Sequence, residues 1–513
     1  MNIKKNISVS DLPKKKQLGF MSCIIVVVGA CVGAGIFFKN GSILANTHSI
    51  ILAVICWLIA AVGVIAMALC LTEIVSSQKQ QSNLGIAAWV KTFNTKYLYN
   101  SCKNFIAYMY TPIILVALSY YFVQAICLGM GIYLNYWYII LIALAVLIWF
   151  FFTSGLSVKF FNVQNWIIMS VKFIPIVFVF IIGFIYVGMG NHIPNPWSPT
   201  TVGPTGNTPL FADLSPICGV IASIPAIFFA FNGFTYPANL TSSMKQPKKL
   251  PLTMTIGLII VTIIYVGISV SMLISSGTGG VDGLSHWLPP WLYTVMYILI
   301  AIGILSVVNG TVVTGVNIYE DLIKNKEIAF SSKFDFSKKY NGKPMSGVLY
   351  GFTVTFIFFV LCTVIGLFFA DTGGYVGKGF DKNIAGIFSF SDIISNWDVL
   401  FIFMFIGVAI LGCLINRRTN KVKVEKTRIF KPAAWIALVL LGISVLYLFV
   451  SVFADVGLSI NYAIKGDYND PVNPNEKEIK LLQTTLSASM LLVYASVIFI
   501  PSWISQKRLA HKN

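Results

Sequence analysis

Charge is scarce in this 513-residue sequence. Only 11% of it is Asp, Glu, Lys or Arg, and the 18 acidic residues are half as many as the 36 basic ones. Soluble domains carry about 25% charged residues, so a water-soluble core is excluded for a chain that is 57% apolar. Histidine is rarer still, with four copies, of which His48, His192 and His286 fall in expected outer loops as solvated surface. The nine cysteines form no CxxC pair and lie mostly inside apolar runs. They read as small buried residues, which leaves neither a disulfide framework nor a metal site. No small-residue cleavage site follows the first apolar run, so a removable signal peptide is not expected. Repeats of solenoid period are absent. No expected span carries the cluster of His, Asp, Glu or Cys that an intramembrane enzyme needs, and no cofactor is called for.

What is present is a succession of long apolar segments. A helix of about 20 residues crosses the roughly 30 Å of bilayer hydrocarbon, and twelve segments reach or approach that length. They lie at about 18–38, 50–71, 104–128, 137–153, 162–187, 216–244, 252–274, 291–319, 347–369, 393–415, 432–454 and 484–505. The linker Ser76–Lys103 holds a short apolar stretch at 84–90, expected as an interfacial helix. The fold class is therefore all-α and integral to the membrane.

The excess of Lys and Arg is distributed unevenly. With both termini inside, 29 of the 36 fall on the inner side. Five fall outside (Lys378, Lys382, Lys465, Lys477, Lys480), and Lys39 and Lys172 lie within spans. This is the positive-inside pattern. The basic inner loops, such as Arg417-Arg418-Thr419-Asn420-Lys421, thus face anionic lipid and mark topology, and nucleic acid is not a partner. The expected location is the plasma membrane, multi-pass, with cytoplasmic termini.

Two spans are interrupted. The first contains Gly29-Ala30-Cys31-Val32-Gly33-Ala34-Gly35, and each glycine costs a helix about 1 kcal/mol relative to alanine. Backbone freed there must find partners in protein, water or ligand. The half-helix starting near Ile36 would offer free N–H groups and a positive dipole end to an anion. The sixth contains Ala230-Phe231-Asn232-Gly233-Phe234-Thr235-Tyr236-Pro237, where Pro237 removes a donor and crowds the carbonyl of Gly233. Non-helical backbone is expected over 29–35 and 230–237. Interrupted spans five apart predict two inverted five-span repeats with a site between the breaks. The organisation is then an inner tail 1–17, a first repeat 18–187, an outer loop 188–214, a second repeat 215–415, two further spans in 416–505 and a tail 506–513.

Gly29-xxx-Gly33-x-Gly35-Ile36-Phe37 resembles the first-helix signature of the amino acid–polyamine–organocation (APC) permeases, which have the leucine-transporter-like fold. Phe228-Phe229-Ala230-Phe231-Asn232-Gly233-Phe234, with Met244-Lys245-Gln246-Pro247-Lys248-Lys249 after it, is similar to their sixth helix and following loop. The chain departs from that family's pattern at Asn232 and Ser242-Ser243, where acidic residues are common, and at Asn317, where arginine is. The resemblance implies a secondary transporter of amino acids by alternating access, through symport or exchange. It places a substrate carboxylate on the N–H groups of Ala34 and Gly35, and the ammonium on carbonyls near Cys31, Phe229 and Asn232. Phe229 becomes an aromatic lid, and Asn309 in the eighth span faces the same cavity.

Lys172 lies about ten residues into the fifth span, roughly 15 Å deep at helical rise. An amine at that depth is a functional candidate, either a proton carrier or a fixed positive strut between spans 1 and 8. Lys39 is expected to snorkel at the outer surface. Glu73, Glu320 and Asp321 are expected as gate or surface charges at inner helix ends. No acidic residue is expected deep in a span, which favours neutral substrates. The competing functions are a sodium symporter of related fold for another solute, and a sensor that binds without transporting.

Overall fold

A computed structural model of the chain describes residues 19–33, 35–77, 84–191, 210–235, 246, 249–336, 343–369, 375–465 and 474–510. Among these there are helices and turns and no strand. The helices are α1 (Phe20–Cys31), α2 (Gly35–Thr47), α3 (Ile50–Ser76), α4 (Ile86–Phe93), α5 (Lys96–Phe105), α6 (Thr111–Met130), α7 (Tyr136–Phe152), α8 (Val158–Gly188), α9 (Pro216–Phe231), α10 (Leu250–Ser275), α11 (Pro290–Lys324), α12 (Met345–Phe368), α13 (Lys382–Thr419), α14 (Phe430–Lys465) and α15 (Pro474–Ala510). Nine described helices, with α5 and α6 continuous through a π-helical turn at Ile106–Tyr110, are long and apolar enough to cross a membrane. The pair α1 and α2 makes another span with a 53° bend, and α7 and α9 are shorter apolar helices.

Helix ends follow local chemistry. The Ser49 side chain accepts from the Leu52 amide, and Ser215 accepts from the Cys218 amide with Pro216 in the first turn of α9. Both satisfy donors that a helix start leaves free. Gly131 closes α6 at φ +62°, the left-handed end that glycine adopts without strain.

Large apolar side chains such as Leu58, Val62, Trp166, Ile167, Ile263 and Leu446 stand exposed around the bundle. Such a continuous apolar exterior fits lipid as solvent. The faces are called inner and outer after the expected orientation; Thr47 and Asp282 lie toward the outer one.

Helix α4 departs from expectation. Trp89 and Val90 are buried, and the helix packs against α5 and α13, not at an exposed interface. Its apolar stripe is covered by protein because α13 extends to Thr419 and reaches it.

Candidate substrate site

The first interruption is shorter than the sequence suggests, and the second begins later. α1 stays helical through Gly29, Ala30 and Cys31, and the break comprises Val32, Gly33 and position 34. Ala34 lies outside the described residues. Gly29 is helical, and its missing side chain makes room for Met169, whose Cε would lie 2.5 Å from an added Cβ. α9 likewise keeps Ala230 and Phe231, and its break begins with a turn over Asn232–Thr235. Gly233 sits there at φ +113°, a conformation that L side chains rarely adopt. Pro237 lies outside the described residues.

The breaks meet. A Cβ on Gly35 would lie 2.7 Å from the Cα of Ala230, so the start of α2 touches the end of α9 backbone to backbone. From α10, the Tyr265 hydroxyl lies 2.7 Å from both the Cys31 and the Ala230 carbonyl oxygens. It thereby serves carbonyls that the ends of α1 and α9 leave unpaired. Lys172 in α8 donates to the Gly29 carbonyl at 2.6 Å. That puts a cation at the negative end of α1, where the helix dipole favours it.

Between these elements lies a cavity of about 530 Å³. Cys31, Gly35, Phe229, Asn232 and Lys172 all line it, together with Gly29 and Gly33. Lys172, only 3% exposed, is the one formally charged side chain among its described lining residues. The wall continues along Thr314, Asn317 and Phe161, toward the inner ends of α11 and α8. Asn232 accepts from the Tyr110 hydroxyl at 3.0 Å, which anchors the turn after α9 to the π-helical segment. Asn309 falls behind the wall. Ser306, Gly310 and Thr311 line the cavity, whereas the Asn309 amide donates to the Phe161 carbonyl at 3.4 Å.

Phe229 lies between this cavity and the Lys39–Tyr121 contact. Its ring meets Tyr121 edge-on at 6.0 Å, and the Lys39 ammonium lies 4.6 Å from its centroid. Lys39 does not snorkel. It is fully buried, paired with Asp392 of α13 and hydrogen-bonded to the Tyr121 hydroxyl at 2.9 Å. An ion pair in place of a route to headgroups explains the difference, since an unpaired ammonium could not remain dry.

Other charges are also drawn inward. Glu73 is fully buried and takes a bidentate pair from Arg417, at 2.8 Å and 2.5 Å, so it is no surface charge. Glu320 accepts from the Gly347 amide at 2.8 Å, closing the first turn of α12. Asp398 overturns the expectation of no deep acid. It is fully buried in α13 and accepts from the Tyr494 hydroxyl. Neither Asp398 nor Asp392 lines the central cavity. Tyr265, Tyr121 and Asp392 escape sequence reasoning because their partners lie far away along the chain. His286 is exposed as expected, His48 faces Asp213 at 3.0 Å, and His192 lies outside the described residues.

Residues 18–466 match the family model described as amino acid permease. An uncharacterized protein of Mycoplasma pneumoniae is 34% identical, covering 96% of this chain and 95% of its own length. The serine/threonine exchanger SteT of Bacillus subtilis is 24% identical over 62% of this chain and 70% of its own. The b(0,+)-type amino acid transporter 1 of Mus musculus is 20% identical, covering 88% and 85%. Among solved structures, a manganese transporter of Eremococcus coleocola superposes with TM-score 0.52 at 15% identity, covering 98% of this chain and 99% of that one. That likeness is one of fold.

Proposed function

The chain belongs to the amino acid permease family, and from that membership we propose that it carries free amino acids across the plasma membrane by alternating access through the central cavity. The carrying observation is the meeting of two helix interruptions on one cavity, with the N-terminus of α2 opening into it. A substrate carboxylate binds backbone N–H groups at Ala34 and Gly35, where the dipole at the start of α2 favours an anion. Its ammonium uses the second lone pairs of the Cys31 and Ala230 carbonyls and the side chain of Asn232. Phe229 covers the aliphatic part. The cavity wall holds Lys172 and no carboxylate among its described residues, which favours neutral substrates over those with a cationic side chain. Lys172 carries the coupled proton.

A manganese cargo would need a set of hard ligands. Among the described residues no group of three His, Cys, Asp or Glu is placed to hold a metal. The test is counterflow of radiolabelled L-alanine, L-serine and L-arginine in proteoliposomes, with manganese uptake in parallel. Accumulation of the neutral amino acids is expected. Transport of manganese with no amino acid accumulated would overturn the reading.

A further inference from the structure

A second cavity, of about 160 Å³, lies on the far side of the Lys39–Asp392 pair from the substrate site, between α2, α9, α13, α14 and α15. It reaches from the outer end of α15 down to Tyr447, midway along α14. Its wall is unlike the lipid-facing surface around it. Asp392 and Asp455 supply two carboxylates, and Lys480 is the one cation among its described lining residues. Two polar atoms in the wall, Asn396 Oδ1 and the Tyr447 hydroxyl, are buried without a hydrogen-bond partner among the described residues. Asp455 is itself fixed, accepting from the Phe211 amide at 2.7 Å. A polar wall at membrane depth favours an occupant that hydrogen-bonds to it.

We infer that this chamber is a second binding site, for a small molecule bearing a primary ammonium group, zwitterionic amino acids included. Lys39 and Lys480 balance the two carboxylates, but the lining offers mostly acceptors and each carboxylate keeps lone pairs for a further donor, which favours a donor-rich ammonium over an anion. Volume sets the size. A cavity of about 150 Å³ accommodates benzene, which has as many heavy atoms as alanine. Asp392 holds Lys39 on one side and faces the chamber on the other. An ammonium bound in the chamber therefore competes with Lys39 for the same carboxylate, and occupation weakens the contact that shuts the central cavity from outside. The inference goes beyond the central site and shares with the preceding reading only the choice of L-alanine as a probe.

The experiment uses the full chain in nanodiscs, with the native cysteines replaced and Ser451→Cys introduced in the chamber wall. Labelling by a cationic aminoethyl methanethiosulfonate should run several-fold faster than by its anionic sulfonatoethyl counterpart, because the wall offers an ammonium many acceptors and a sulfonate few donors. Millimolar ethanolamine or L-alanine should slow labelling several-fold, and acetate should not. Asp455→Asn, which keeps the acceptor for the Phe211 amide, should abolish this protection. Thr314→Trp, which fills the central cavity, should leave it intact. Equal labelling by both reagents, or no protection by either amine, would mean a chamber holding only water and would overturn the inference. Protection lost in Thr314→Trp and kept in Asp455→Asn would assign the effect to the central site and overturn it too. Counterflow of L-alanine by the unmodified chain is measured separately, so failure of the permease reading is distinguishable.

Discussion

The ammonium of Lys172 meets the Gly29 carbonyl where α1 ends, a position that suits either a mobile proton or a permanent charge. Lys172→Ala is expected to reduce uptake driven by an imposed pH gradient to near background while retaining exchange. Lys172→Arg separates the two roles, because arginine stays charged at any accessible pH. A variant with arginine that still accumulates substrate against the gradient would leave Lys172 as a strut. Gly35 poses a different question. The 2.7 Å approach of its added Cβ to the Ala230 backbone makes even Gly35→Ala an overpacking change, of the kind that costs about 1–3 kcal/mol. A lowered melting temperature together with weakened L-alanine binding is expected, measured by thermal unfolding and scintillation proximity. Unchanged melting would mean that α2 and α9 separate freely.

At the scale of elements, the clamp from α10 joins both interruptions. Tyr265→Phe removes one hydroxyl and leaves two carbonyls short of a partner, and each orphaned acceptor costs about 1–3 kcal/mol. A melting point several degrees lower is expected, and an unshifted one would show that water replaces the hydroxyl. The breaks themselves were legible, because clustered glycines and a proline are local signals. Their extent was not. Gly29 is helical and serves the close approach of Met169 on α8, a neighbour far away in sequence. Lys39 misled for the same reason: Asp392 lies 353 positions on, and nothing near Lys39 announces a buried partner. Tyr265 sits in an apolar run where a tyrosine breaks no pattern. The central cavity was thus readable as a location, whereas the groups that shape and close it were set by tertiary contacts.

For the whole molecule, two ion pairs, each with one fully buried partner, tie α13 to its neighbours. Lys39–Asp392 joins α2 to α13 toward the outer face, and Glu73–Arg417 joins α3 to the inner end of the same helix. Removing one partner of a buried pair costs about 3–5 kcal/mol. Lys39→Met is therefore expected to favour opening toward the outside. The readout is labelling of Cys31 by an impermeant thiol reagent added from that side, in a background lacking the other cysteines. Labelling no faster than in the parent would show that Phe229 and Tyr121 suffice as the closure. The clamp at Tyr265 carries a kinematic consequence. One hydroxyl proton is shared between the tips of α1 and α9, so neither tip can retreat without handing that proton wholly to the other. The two tips are thereby coupled through α10, which supplies the hydroxyl and on which α1 packs. Spin labels on α1 and α9 should therefore keep a fixed separation while each changes its distance to α13, and Tyr265→Phe should let that separation vary.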